Sequence, residues 1–470
     1  MSDDLAFADA VTLAARVRDR SVSPVELVRA YLDRIDRLDG RLRAYITVCR
    51  DAALQAARRA EAEVVRGDLL GPLHGVPFAV KDQFDTAGVL TTMGSRLMAD
   101  RVPRETATLV ERLEAAGAIL LGKLNLTEFA LGGTVEFPYG QPRNPWNTDH
   151  DPGGSSSGSG IAVAAGLCAF ALGEDTGGSV RSPASFCGVV GLRPTWGRLS
   201  RHGVVPLCWS MDTPGPLTRT VEDTALVMQV IAGYDSRDPT TSRRSVPDHR
   251  AALAAGVRGV RIGVARELVA SPDVDAEVRD GLVAALGVLK GLGAMVEEVS
   301  LPLLPLAGAV FMTLADSDGA GLHQPWLRSR PRDYDRGTRR RLLTASLIPA
   351  ARYHQAQRAR ALIRRQLLEA LERWDLLAWP TAPQPAPPIA RGAAPITAAS
   401  QVAGRFFARR SYVAPASLAS LPAVAVPSGF SRAGLPLNQQ LIGRPFGEAP
   451  LLAAAHAYEQ ATGWSRRPPV

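Results

Sequence analysis

The chain has 470 residues, 46% of them hydrophobic and 21% charged, which excludes a disordered, fibrous or collagen-like chain and leaves a soluble globular protein with a large core. A formal charge of +8 permits nucleic-acid contact. The arginines are scattered, however, and no zinc-finger, RNA-recognition or helix-turn-helix signature is present, so no nucleic-acid partner is expected.

The first 65 residues read as helices. Ser23-Pro24-Val25-Glu26 is a capping box with proline at the first helical position. Leu27, Tyr31, Ile35 and Leu38 then recur at helical spacing. Residues 74–80 form a buried-strand pattern ending at Lys81-Asp82. A helix over 105–117 leads to a strand over 118–123. Residues 161–172 read as a helix giving way to a short strand. Further on, the pattern predicts a strand at 260–265, a helix at 276–292 and a long helix at 350–373. Residues 336–341 carry the densest arginine run and read as a solvated helix face. The segment Asp375–Pro380 is a strand, followed by a stiff Pro-rich loop over 379–395. AVAVPSG and NQQLIG are late strands, and 448–462 closes the chain as a helix. Strands alternating with helices imply an α/β protein with a mixed sheet covered on both faces. No repeat and no clear linker divides the chain.

No stretch approaches 18 uninterrupted apolar residues, so no membrane span is expected. The N-terminus lacks the charged and apolar regions of a signal peptide. Cys49, Cys168, Cys187 and Cys208 have no metal-ligand spacing, and three of them read as small core residues. A reducing, cytoplasmic setting is the expectation, with no metal and no cofactor.

Two serine–glycine clusters carry the chemistry. GGSSSGSG starts at Gly153 and GEDTGGSVRSP at Gly173, which places Ser155 and Ser179 24 residues apart. Glycine lets a backbone approach a ligand closely, and a serine hydroxyl can attack or pass a proton. Only three of the 54 basic residues are lysine: Lys81, Lys123 and Lys290. Arginine keeps its proton, whereas a desolvated lysine can lose it. Lys81, at the end of an apolar strand, is therefore a candidate base. Three plainer readings compete. The first cluster could be a linker, but it runs straight into an apolar segment. Gly154 to Gly158 also matches G-x-S-x-G, with Ser156 as nucleophile and Asp375 and His456 downstream, as in α/β-hydrolases. That motif needs an apolar strand before it, and here NPWNTDHDPG precedes it. Lys81 alone could also be a strand-end lysine reaching water.

The ordered set GVPFAVKDQFDTAG (75–88), GKLNLTEFA (122–130), RNPWN (143–147), PGGSSSGSG (152–160), GEDTGGSVRSPASFCGVVGLRPTWGRLSRHG (173–203), DTPGPLTRTVED (212–223) and LIGRPFGEAPLL (441–452) resembles the amidase signature hydrolases over nearly the whole chain. The resemblance implies one α/β/α domain over 1–470 around a large twisted mixed sheet, with N-terminal helices to about 65, a signature core at about 70–235 and a C-terminal α/β part at about 255–470. It implies a Ser–cis-Ser–Lys triad: Ser179 as nucleophile, Ser155 as relay behind a cis Gly154–Ser155 peptide, and Lys81 as base. Backbone N–H groups of Thr176, Gly177, Gly178 and Ser179 would form the oxyanion hole, as successive N–H groups in a Gly-rich turn do. Ser156, Asp175 and Arg181 would support these groups. For Lys81 to act near neutral pH, its pKa must fall from about 10.4 to near 7, about 4 kcal/mol of differential desolvation.

The chain departs from the family pattern at Ser157, Glu174, Asn438 and Gln439. Where malonamidase-like members carry a carboxylate-gripping arginine, it has Ser182. By the same resemblance the pocket walls are loops at 125–140, 205–212, 310–330 and 378–405. Phe137, Trp209 and Trp379 are aromatic candidates to line them, each equally well explained by core packing. The expectation is a hydrolase of neutral or aryl amides, and also of carbamates or esters, acting as a monomer or homodimer on a small molecule. The alternatives are the A subunit of a tRNA-dependent amidotransferase, which uses glutamine as ammonia donor with a partner protein, and an inert binding protein of the same fold.

Overall fold

A computed structural model describes residues 2–389, 407–464 and 466–470. Eleven described strands form one sheet: β1 (Tyr45–Val48), β2 (Pro77–Lys81), β3 (Ile119–Leu124), β4 (Phe170–Glu174), β5 (Val190–Arg193), β6 (Pro214–Thr218), β7 (Arg261–Ala265), β8 (Met295–Val299), β9 (Leu376–Pro380), β10 (Ala423–Phe430) and β11 (Pro436–Ile442). Their order is β1-β3-β2-β4-β6-β5-β10-β11-β9-β7-β8. β2 runs parallel to β3 and β4, and β7 parallel to β8 and β9. The remaining pairings are antiparallel. The sheet is therefore mixed, and the α/β class read from the sequence is present.

Strands β2 to β6 are buried at every residue. Such runs do not alternate because helices cover both faces of the sheet. Phe78 and Phe170 stack across β2 and β4 with ring centroids 5.6 Å apart. The two strands pair in parallel from Phe78↔Phe170 to Val80↔Leu172. Their carboxyl ends, Lys81 and Glu174, therefore emerge side by side, at the strand edge where open α/β sheets place ligands.

The helix Pro24–Leu42 starts where the capping box put it, with Ser23 Oγ accepting from the Val25 and Glu26 N–H groups. The short helix Ser157–Ala164 follows the first serine loop and is wholly buried. At Gly158 a Cβ would lie 2.2 Å from the Ala44 carbonyl oxygen and 2.5 Å from the Asn125 nitrogen. Glycine here is the condition for seating this helix, and hence the serine loop, against the sheet.

Three features differ from the reading of the sequence. Tyr45–Val48 is an edge strand inside the region taken as helical. Of residues 310–330, expected as a loop wall, all but Arg330 belong to the helix Ala307–Ser329. Glycines at 308, 319 and 321 and Pro325 lower its intrinsic propensity, and packing against the helices Ala350–Arg373 and Arg409–Ala419 supplies what propensity lacks. The helix Arg409–Ala419, with Pro415 inside it, is likewise decided by burial: Ser411 to Ala419 are all buried. The part of the Pro-rich segment from 390 on lies outside the described residues.

Candidate active site

Lys81 is fully buried, and its Nζ lies 2.8 Å from Ser155 Oγ. It also approaches the Glu174 carbonyl oxygen at 3.4 Å and Glu174 Oε2 at 3.7 Å. The Gly154–Ser155 peptide is cis. The Ser156 N–H donates to the Ser179 carbonyl at 3.3 Å, which ties the two serine loops together. The structure thus brings Lys81, Ser155 and the Ser179 loop into one cluster. Ser156 is fully buried, and its hydroxyl faces the Glu174 backbone. Asp375 pairs with Arg261 and Arg444, and His456 with Glu459. The G-x-S-x-G alternative therefore has no assembled triad.

Burial lowers the pKa of Lys81, opposed by the nearby carboxylates of Glu174, Asp212 and Asp175. Burial raises that of Glu174, and the Asp212 charge adds to the rise. Thr176 Oγ1 bridges the two carboxyls, 3.0 Å from Glu174 Oε1 and 2.8 Å from Asp212 Oδ1. Glu174, read from the sequence only as a tolerable departure, is thus the nearest counter-charge of the buried amine.

The turn carrying Ser179 is held by Asp175. Its Oδ1 accepts from the Gly178 N–H at 2.7 Å, and its Oδ2 from Val180 N–H at 3.3 Å. Arg181 grips both oxygens at 3.1 Å, and Arg193 reaches Oδ1 at 3.1 Å. Burial alone would raise the Asp175 carboxyl, but the two guanidiniums hold it far below the usual carboxylate range. Arg193 was not singled out in the sequence; only its distant pairing with residue 175 marks it. The Gly178 N–H, expected in the oxyanion hole, is committed to Asp175. Among the described residues the N–H groups of Thr176, Gly177 and Ser179 have no protein acceptor.

The aromatic candidates fall elsewhere. Trp379 is fully buried, with Nε1 donating to the Tyr412 carbonyl at 2.7 Å, so it is a core residue rather than a pocket wall. Trp209 is 63% exposed and edges a surface hollow beside Arg201 and His202. Phe137 is half-buried on the 125–140 loop. The side chains over the Ser179 turn are ones the sequence reading missed. A Cβ on Gly177 would fall 2.1 Å from the Phe311 ring, and one on Gly178 2.4 Å from Val413. Both glycines are required by this close approach. Among the described residues no group of His, Cys, Asp or Glu could hold a metal ion, and no helix is long and apolar enough to cross a membrane.

Two outcomes are expected. Glu174→Gln removes the carboxylate that favours the Lys81 ammonium, so the rise of kcat/KM with pH should move to lower pH. A shift to higher pH, or none, in the pH–rate profile would show that Glu174 does not act on Lys81 as a charge. Asp175→Asn leaves Arg181 and Arg193 buried without their anion and should cost about 3–5 kcal/mol in chemical denaturation. A loss under about 1 kcal/mol would rule out Asp175 as the clamp.

The sequence model described as amidase matches residues 26–452. The A component of the glutamyl-tRNA(Gln) amidotransferase of Moorella thermoacetica is 42% identical over 496 aligned residues, covering 99% of both chains. A solved structure, described as a vestigial protein complex that reveals the evolutionary origins of an s-triazine catabolic enzyme, superposes with a TM-score of 0.90 at 35% identity, covering 98% of this chain and 100% of that one. A bacterial aryl acylamidase of the amidase signature family gives 0.88 at 28% identity, covering 97% of each. The Moorella relative is by name one component of a tRNA-directed enzyme, which overturns the expectation of a chain acting alone on a small molecule with no nucleic acid. From the matched model and these likenesses, the chain belongs to the amidase signature family, whose members are enzymes of carbon–nitrogen bonds.

Proposed function

We propose that this chain is the amide-cleaving component of an amidotransferase, releasing ammonia from a primary amide through an acyl-enzyme on Ser179. The observation that carries the chemistry is the fully buried Lys81 amine 2.8 Å from Ser155 Oγ, beside the Ser179 turn. Neutral Lys81 takes the Ser155 proton while Ser155 takes that of Ser179. Ser179 Oγ attacks the carbonyl carbon, and the oxyanion meets the N–H groups of Thr176, Gly177 and Ser179. The proton returns through Ser155 to the leaving nitrogen as the carbon–nitrogen bond breaks. Water then attacks the acyl-enzyme with the same base, restoring Ser179 and releasing the acid. The 42% identity along the whole Moorella protein supports the amidotransferase setting, with partner subunits and an aminoacyl-tRNA.

A second reading is an amidase for aryl amides, carbamates or esters. The superposition on an aryl acylamidase favours it.

Ser179→Ala should abolish turnover, and a fluorophosphonate should label Ser179 in the unmodified chain. Label on Ser156 instead would sink the Ser179 assignment. Lys81→Arg should be as damaging as Lys81→Ala, since arginine stays charged; substantial activity in Lys81→Arg would require a different base. Ammonia release from glutamine only when partner subunits are added is the outcome expected for the amidotransferase reading. Brisk cleavage of anilides or carbamates by the purified chain, with none of glutamine, would favour the second.

A further inference from the structure

Arg410 lies in the first turn of the helix Arg409–Ala419 and is half-buried beside the nucleophile turn. Three contacts fix its place. Its guanidinium carbon lies 5.5 Å from the centroid of the Phe311 ring, the ring that covers Gly177. One helical turn further on, Val413 covers Gly178, and residues three apart share a helix face. A Cβ on Gly132 would also lie 3.2 Å from Arg410 Nη2. Gly132 donates its N–H to Thr127 Oγ1 at 3.1 Å, and the Thr127 N–H donates to the Ser155 carbonyl at 3.2 Å. Arg410 therefore stands between the wall over Ser179 and the loop that borders Ser155.

Its charge has no ion-pair partner among the described residues, and no hydrogen bond among them engages its guanidinium. The nearby carboxylate, Asp316, is gripped by Arg341 through Nη2 at 2.6 Å and Nε at 3.0 Å. Arg409 is turned to Asp151, at 3.4 Å. Burial, Arg341 and Arg409 all weigh against the Arg410 cation, and Asp316 alone favours it. An arginine keeps its proton even so, and a cation set in such a place without an anion is costly. A planar fork of N–H donors matches a carboxylate in two parallel hydrogen bonds. Ser182, on the helix after the Ser179 turn, offers no cation; the arginine arrives from a helix about 230 residues later in the chain.

We propose that Arg410 is a specificity-determining residue that binds a carboxylate on the substrate, so that the site takes anionic amides in preference to neutral aryl amides. This rests on the reading of Ser179 as nucleophile. The substrate class is an amide that carries a carboxylate a few bonds from the scissile carbonyl, as glutamine and the monoamides of short dicarboxylic acids do.

The test uses the full-length chain, with any partner subunits that its activity requires. Ammonia release is measured from succinamate and glutaramate and from their methyl esters, in which a methyl group replaces the negative charge. The acids should win by about tenfold or more in kcat/KM, and Arg410→Gln should cut the acid-to-ester ratio by about 10- to 100-fold, as expected for losing a charged hydrogen bond. Arg410→Lys should restore only part of that ratio. In parallel, glutarate is used to protect Ser179 from a fluorophosphonate. Protection in the unmodified chain that is lost in Arg410→Gln supports the proposal, and equal protection in both overturns it. Should Arg410→Gln fail to fold, the preference of the unmodified chain decides: faster turnover of the methyl esters overturns the proposal. Absence of Ser179 labelling in the unmodified chain would instead strike at the nucleophile assignment, a result distinguishable from failure of the Arg410 reading.

Discussion

A lysine amine held out of water is the constraint around which this site is arranged. An ammonium loses several kcal/mol of solvation on burial, so it must be paired or give up its proton. Lys81 is offered both courses at once. Ser155 Oγ stands at 2.8 Å to exchange a proton with it, and the Glu174 carboxyl stands at 3.7 Å as a counter-charge. Neither contact depends on a flexible loop alone. Lys81 and Glu174 are the last residues of two adjacent parallel strands, and the pairing of Phe78 with Phe170 leaves them one residue apart in register. The position of the buried amine is thus a property of the sheet.

The second serine is placed by charge rather than by strand pairing. Asp175 follows Glu174 directly and accepts from two backbone N–H groups of the turn and from two arginines. Arg193 lies at the end of β5, whereas Arg181 opens the short helix after the turn and also bonds Gln440 on β11 at 2.7 Å. One carboxylate therefore couples the nucleophile turn to strands from both halves of the chain. Phe311 and Val413 close over Gly177 and Gly178 from the other side. This packing explains why the turn can present N–H groups to a ligand: no side chain at 177 or 178 fits between backbone and roof.

Much of this was legible along the chain. The capping box at Ser23, the helix over 350–373 and the buried strands through Lys81, Lys123 and Pro380 follow from local pattern. The scarcity of lysine pointed to Lys81, and Lys123 proves equally buried, bonded to the Phe84 carbonyl and to Thr91. The strand at 45–48 and the helices at 307–329 and 409–419 were not legible. Their sequences carry glycine, proline or mixed periodicity, and tertiary burial overrides such weak local preferences.

The sequence by itself determined which groups are available for chemistry: two serine–glycine clusters, a lysine after an apolar strand, and an aspartate one residue beyond a strand end. Those are local properties of spacing and side-chain type. Only the tertiary structure decided what surrounds them. It placed Glu174 against Lys81 and committed the Gly178 N–H to Asp175. It took Trp379 into the core and brought Arg410 beside the nucleophile turn. Each of these rests on contact between segments, or on the direction of a side chain at a strand end, and neither is encoded in the spacing of residues along one stretch of chain.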